Sequence, residues 1–186
     1  MIPAGYLLKR VSPAVDWLKV PRVTSICSVA DCVSENVVDV QRAWLHNGHG
    51  VASDPETLRQ LAHETGAEIA NARFFYYEVH ELEMDSDDLG TTTWRPLSRV
   101  PSSSLDTPVV TPPGSTRLLG YDVVVFEDFL SHSPLSCNSV AEHLPVNACC
   151  LLETLDDARQ AIEAGAFNHC EPGVYTIFAV HEAEWR

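Results

Sequence analysis

The sequence predicts an α+β fold: a mostly antiparallel sheet with helices packed on one face, built from two similar β-α-β-containing halves in a ferredoxin-like arrangement with extra strands. Three observations lead there. Short apolar runs rich in Val, Ile, Phe and Tyr recur along the 186 residues. Two amphipathic stretches with helix caps separate them. The same order of signals also occurs twice, about 100 residues apart, and ends each time in a near-repeat, VHELE at 79–83 and VHEAE at 180–184. The length suits one domain, 1–186, with halves at 23–83 and 121–185.

Each half opens on a strand-like run, VTSICSV at 23–29 and YDVVVFE at 121–127. A short helix is expected next, with Ser34 as cap and Val37, Val40 and Trp44 on one face; Val140 and Leu144 keep part of that face in the second half. Asn47 and Asn147 follow, and Asn tolerates the left-handed backbone that ends helices. Brief strands are expected at 50–53 and 149–153. The best-marked element is a capped helix. Asp54 or Ser53 caps the first copy, Pro55 opens it, Leu58, Leu61 and Ala62 form its stripe and Gly66 ends it. Thr154 caps the second, Asp156 and Asp157 sit at its positive end, and Gly165 ends it. Long strands at 73–83 and 173–185 close the halves, with His80 and His181 expected where each strand runs out into water. A Ser/Thr/Pro-rich segment, 84–117, joins the halves, and TTTWRPL within it reads as an extra edge strand.

Charge narrows the function classes. Lys and Arg number 12 against 26 Asp and Glu, a formal net charge of −14. Such a surface repels nucleic acid and attracts basic proteins. No apolar run reaches membrane-span length and the first residues carry no signal-peptide core, so a cytoplasmic protein with reduced thiols is expected. The expected function is a small acidic binding protein that docks a basic protein partner, in the manner of an inhibitor or immunity protein. Glu78, Glu81, Glu83, Asp85, Asp87 and Asp88 form the densest acidic run and the expected docking face.

Two stretches have the residue types for chemistry. In HSPLSCNS, 132–139, Cys137 is a candidate nucleophile near a helix N-terminus, with His132 or His143 as base and Asn138 to orient the base or stabilise an oxyanion. In WLHNGHG, 44–50, His46 and His49 stand three apart on a turn and offer the start of a metal site, with Cys149 or Cys150 as ligands from the other half. No phosphate-binding or dinucleotide glycine loop occurs, and the calcium-like DSDDLG at 85–90 lacks later ligands, so no cofactor is expected.

Overall fold

The computed structural model describes residues 1–43, 47–86, 92–98, 110–127 and 130–184. Trp44, His46, Asp87, Asp88 and much of 84–117, given roles above, lie outside them. The α+β class holds. Ordered along the chain, the strands are β1 (Ile2–Arg10), β2 (Ser12–Pro13), β3 (Ser25–Ile26), β4 (Glu35–Asn36), β5 (Arg73–Ser86), β6 (Thr92–Pro96), β7 (Thr116–Glu127), β8 (Leu130–His132) and β9 (Val174–Ala183). The helices are α1 (Pro55–Thr65), α2 (Pro134–Cys137) and α3 (Leu155–Glu163). Among the described residues the main sheet runs β4-β1-β5-β9-β7-β8, with β6 on β5, and its pairings are antiparallel. β2 and β3 form a separate ribbon. No helix among them is long and apolar enough to cross a membrane.

The helices obey local rules. Asp54 Oδ1 accepts from Thr57 N at 2.9 Å and opens α1, and Gly66, at φ 64°, closes it. Thr154 and Asp157 cap α3 reciprocally, Asp157 N to Thr154 Oγ1 at 3.1 Å and Thr154 N to Asp157 Oδ2 at 3.1 Å. The stripe Leu58, Leu61 and Ala62 joins one core cluster with β1 and β5, whereas Ala158, Ala161 and Ile162 join a second with Val123 and Ile177. Burying side chains of this size contributes about 2 kcal/mol each for the larger ones.

Several elements depart from the sequence reading. β1 lies in a stretch with Pro3, Gly5 and two cations, yet Lys9 is fully buried. Its Nζ donates to Ser28 O, Val29 O and Ala30 O at 2.8, 2.8 and 2.7 Å. Those carbonyls absorb the ammonium, and burial still lowers its pKa to about 7. Across the same loop, buried Asp122 Oδ2 accepts from Val29 N at 2.8 Å and Ser133 Oγ at 2.7 Å, and burial pushes its pKa up to about 6. The run 23–29 is therefore a loop clasped from both sides, with only Ser25–Ile26 in a strand. Ser34 leads into strand β4, and the described residues after it, 37–43, form bends and turns instead of the expected helix. The segments 50–53 and 149–153 make only isolated bridges, Tyr6 to Ala52 in the first and Tyr121 and Val146 to Leu152 in the second.

His80 is buried, because β5 continues to Ser86 and bulges between Val79 and Glu83. Its Nδ1 lies 3.2 Å from Leu82 N inside that bulge. His181 is mostly buried too, 3.5 Å from Glu78. In the β5–β9 register Tyr76 faces His181 and Tyr77 faces Val180, so the two VHE triplets are not set opposite each other. The histidines are interior groups of the sheet, not its margins.

Candidate functional site

Two turns follow the same plan. Asn147 N donates to Leu151 O at 2.8 Å, and its Oδ1 accepts from Cys149 N at 2.8 Å and Leu151 N at 3.2 Å. Its Nδ2 donates to Leu119 O at 2.7 Å on β7. Asn47 N donates to Val51 O at 3.0 Å, its Oδ1 accepts from His49 N at 3.3 Å, and its Nδ2 donates to Ala4 O on β1. The strand residue after each accepting carbonyl is glycine. A Cβ on Gly120 would stand 2.6 Å from Leu152 O, and one on Gly5 2.3 Å from Ala52 O, at φ 146° and 137°. Left-handed backbone falls at Gly50 (φ 72°) and Cys150 (φ 62°) rather than at the asparagines. The asparagines are side-chain clamps, not helix ends.

The second turn carries a thiol. The segment 24–27 lies along it: Thr24 N and Ser25 N reach Ala148 O at 2.9 and 3.1 Å, and Cys27 N reaches Cys149 O at 3.1 Å. Cys27 and Cys149, 122 residues apart in the chain, become side-chain neighbours. Ser25 Oγ lies 3.9 Å from both sulfurs, and Arg73 Nη1 lies 3.7 Å from Cys27 Sγ. Glu182 fixes Arg73 at 2.7 Å and Arg117 at 2.5 Å. Cys27 is buried and Cys149 half-buried.

The two thiols divide one proton unequally. The Cys27 thiol, the Ser25 hydroxyl and the Arg73 and Arg117 guanidiniums pull Cys149 down to about 6, against its burial. Cys27 is pushed up, first by its hydrogen bond to Cys149 and then by burial. Cys149 is thus the thiolate and Cys27 its proton-bearing neighbour. The next residue, Cys150, is buried and pushed up to about 12, and Cys170 is also raised by burial.

The residues singled out from sequence are arranged differently. Cys137 closes α2 instead of opening a helix, so it lacks the helix N-terminus expected to stabilise a thiolate, and its sulfur is joined to Cys32 with Cα atoms 6.3 Å apart. Asn138 Nδ2 donates to Glu171 at 3.1 Å, and His132 lies 3.9 Å from the same carboxylate. His143 is exposed beyond a 3-10 turn, Val140–Glu142. His49 is buried edge-on to Phe126 and Phe178, at 6.1 and 5.8 Å, instead of solvated. No group of three or more metal-ligating side chains is found among the described residues. Of the acidic run, Glu81 is exposed and Glu78 pairs with His181. Glu83 is buried against Arg95 at 2.9 Å, and Asp85 holds the same arginine at 2.5 Å. Glu83 therefore offers no surface for docking. Sequence reasoning missed the Cys27–Cys149 pair, because no spacing rule links thiols so far apart.

Set against models of protein families, curated proteins and solved structures, the chain matches none.

The lowered thiol has a kinetic signature. The alkylation rate of Cys149 by iodoacetamide, followed by peptide mass mapping, is expected to reach half its plateau near pH 6. A rate still climbing through about pH 8.5, as for an ordinary thiol, would contradict this assignment.

Proposed function

We propose that the chain performs thiol–disulfide exchange, with Cys149 as attacking thiolate and Cys27 as resolving thiol. The observation that carries this is the shared placement of the two sulfurs on Ser25, each 3.9 Å from its hydroxyl. In the first step the Cys149 thiolate attacks one sulfur of a substrate disulfide. That S–S bond breaks, one substrate thiolate leaves and takes a proton, and Cys149 is left in a mixed disulfide. In the second step Cys27 gives up its proton and attacks the Cys149 sulfur. The second substrate thiolate departs and a Cys27–Cys149 disulfide forms. Two electrons pass from the protein dithiol to the substrate. Arg73 and Arg117 favour the thiolate form of Cys149, while the exposed part of Arg117 favours substrates bearing a carboxylate.

We further infer that the two halves are copies of one ancestral unit. The matching Asn clamps, the matching glycines and the matching capped helices support this reading.

A second reading keeps the binding protein that docks a basic partner. Arg10, Arg59, Arg73, Arg95, Arg117 and Arg159 all pair with carboxylates, and Lys9 is buried. With these cations engaged, the net charge of −14 favours association with basic surfaces. A basic partner retained at low ionic strength is expected to be released at about 0.5 M salt; retention indifferent to salt would count against docking by charge.

Exchange is tested with oxidised glutathione and intact-mass analysis. Cys27→Ser is expected to accumulate a mixed disulfide on Cys149, wild type to pass through it to the internal disulfide, and Cys149→Ser to remain unmodified. A mixed disulfide that persists in wild type, or equal labelling of Cys150 or Cys170, would sink the proposal.

A further inference from the structure

The Cys149 sulfur is set among strong hydrogen-bond donors. The Ser25 hydroxyl donates to it at 3.9 Å. Arg117 lies near enough to favour its anion, gives one nitrogen to Glu182 and keeps 70% of its side chain exposed. That exposure leaves N–H groups of Arg117 open to a molecule arriving at Cys149. Arg73 is engaged elsewhere: its Nε holds Glu182 at 2.7 Å, and its guanidinium lies over the Phe75 ring at 5.4 Å. Sulfur accepts hydrogen bonds more weakly than oxygen does. Donors of this kind therefore do less for a departing thiolate than for a departing oxygen anion. A thiolate whose leaving group is oxygen is one that attacks a peroxide bond.

Reach and protection point the same way. Cys149 is half-buried and Cys27 is buried, so a small molecule meets Cys149 first. Cys27 N donates to Cys149 O at 3.1 Å, which brings the two backbones to the spacing a disulfide bridges. An oxidised Cys149 thus has a thiol beside it that can capture it before a second oxidation. The other cysteines lack these features. Cys150 is buried, Cys170 has the Glu171 carboxylate near it, and Cys32 and Cys137 are already joined.

We propose that the chain also reduces a hydroperoxide, either hydrogen peroxide or a short alkyl hydroperoxide, with Cys149 as the oxidised site and Cys27 as its trap. This deepens the exchange reading and rests on its assignment of attacking and resolving thiols. The Cys149 thiolate attacks the terminal peroxide oxygen. An S–O bond forms and the O–O bond breaks. Hydroxide or alkoxide leaves, accepts hydrogen bonds from Ser25 and Arg117 and takes a proton from water. Two electrons pass from Cys149 to the peroxide, and Cys149 becomes a sulfenic acid. Cys27 then attacks the Cys149 sulfur, the S–O bond breaks, and the departing hydroxide takes the Cys27 proton and leaves as water. Two thiols and one hydroperoxide give one disulfide, one water from Cys149, and one further water or alcohol. A substrate dithiol returns the disulfide to thiols by the exchange steps run in reverse.

The full chain, with Cys27 and Cys149 reduced, is treated with hydrogen peroxide or tert-butyl hydroperoxide in the presence of dimedone and mapped by peptide mass. Wild type is expected to form the Cys27–Cys149 disulfide without an adduct. Cys27→Ser is expected to hold a dimedone adduct at Cys149, and Cys149→Ser to show neither product. Faster reaction of the first oxidant identifies hydrogen peroxide as the substrate; faster reaction of the second identifies an alkyl hydroperoxide. Arg117→Ala and Ser25→Ala test the donors. Each is expected to lower the ratio of peroxide to iodoacetamide rate constants at Cys149 by about tenfold, since iodide departs without such donors. The ratio cancels any change in thiolate fraction, which both reactions share. An unchanged ratio in both variants, equal oxidation of Cys150 or Cys170, or no product at Cys149 would overturn the proposal. Exchange with glutathione beside inertness to both peroxides overturns it and leaves the exchange reading standing. A sulfenic acid at Cys149 without glutathione exchange supports it and overturns the exchange reading alone.

Discussion

The amide of Asn147 is the constraint on which the thiol site depends. One side chain satisfies Cys149 N, Leu151 N and Leu119 O at 2.8, 3.2 and 2.7 Å. Each such bond contributes about 1 kcal/mol net, and removing the amide leaves three polar backbone groups to find other partners. The clamp works only because β7 has no Cβ at Gly120, where the turn passes within contact of the strand. Side-chain length and backbone clearance are thus matched across 27 positions of sequence, from 120 to 147. The same match links Gly5 and Asn47 at the other turn, where a histidine stands in place of the thiol.

The clamp's chemical consequence is placement. By taking the Cys149 amide, Asn147 sets the residue in a turn whose outer carbonyls, Ala148 O and Cys149 O, remain free to receive the segment 24–27. Cys27 is then held twice, by its own amide on Cys149 O and by the loop beyond it, which Lys9 and Asp122 grip from opposite sides. Burial disfavours the anion on Cys27, and the neighbouring hydroxyl and guanidiniums favour it on Cys149. Two thiols of the same intrinsic chemistry acquire different roles from their surroundings alone.

What was legible in the sequence was local. The caps at Asp54 and Thr154, the Pro55 start and the Leu58–Leu61–Ala62 stripe depend on neighbours within a turn or two, and those elements stand where the letters put them. The edge strand around Trp94 was legible for the same reason. β1 was hidden, since Pro3, Gly5 and Lys9 carry breaker and charge signals whose reversal needs the turn at 47–52 and the carbonyls of 28–30. The shared Asn47 and Asn147 were visible, but the bonds that explain them run to strands far away in sequence. The sequence points to Cys137 as nucleophile because a thiol beside His and Asn is a local pattern. The Cys27–Cys149 approach is set by a loop lying on a distant turn, and local pattern does not report it.

Native-state hydrogen exchange at the amides of Cys149 and Leu151 tests the clamp most directly. If Asn147 holds both, they exchange only with opening of the sheet, at rates matching central amides such as Val180. Exchange as fast as that of exposed loop amides would show that the turn is not held, and that the thiol geometry built on it does not persist in solution.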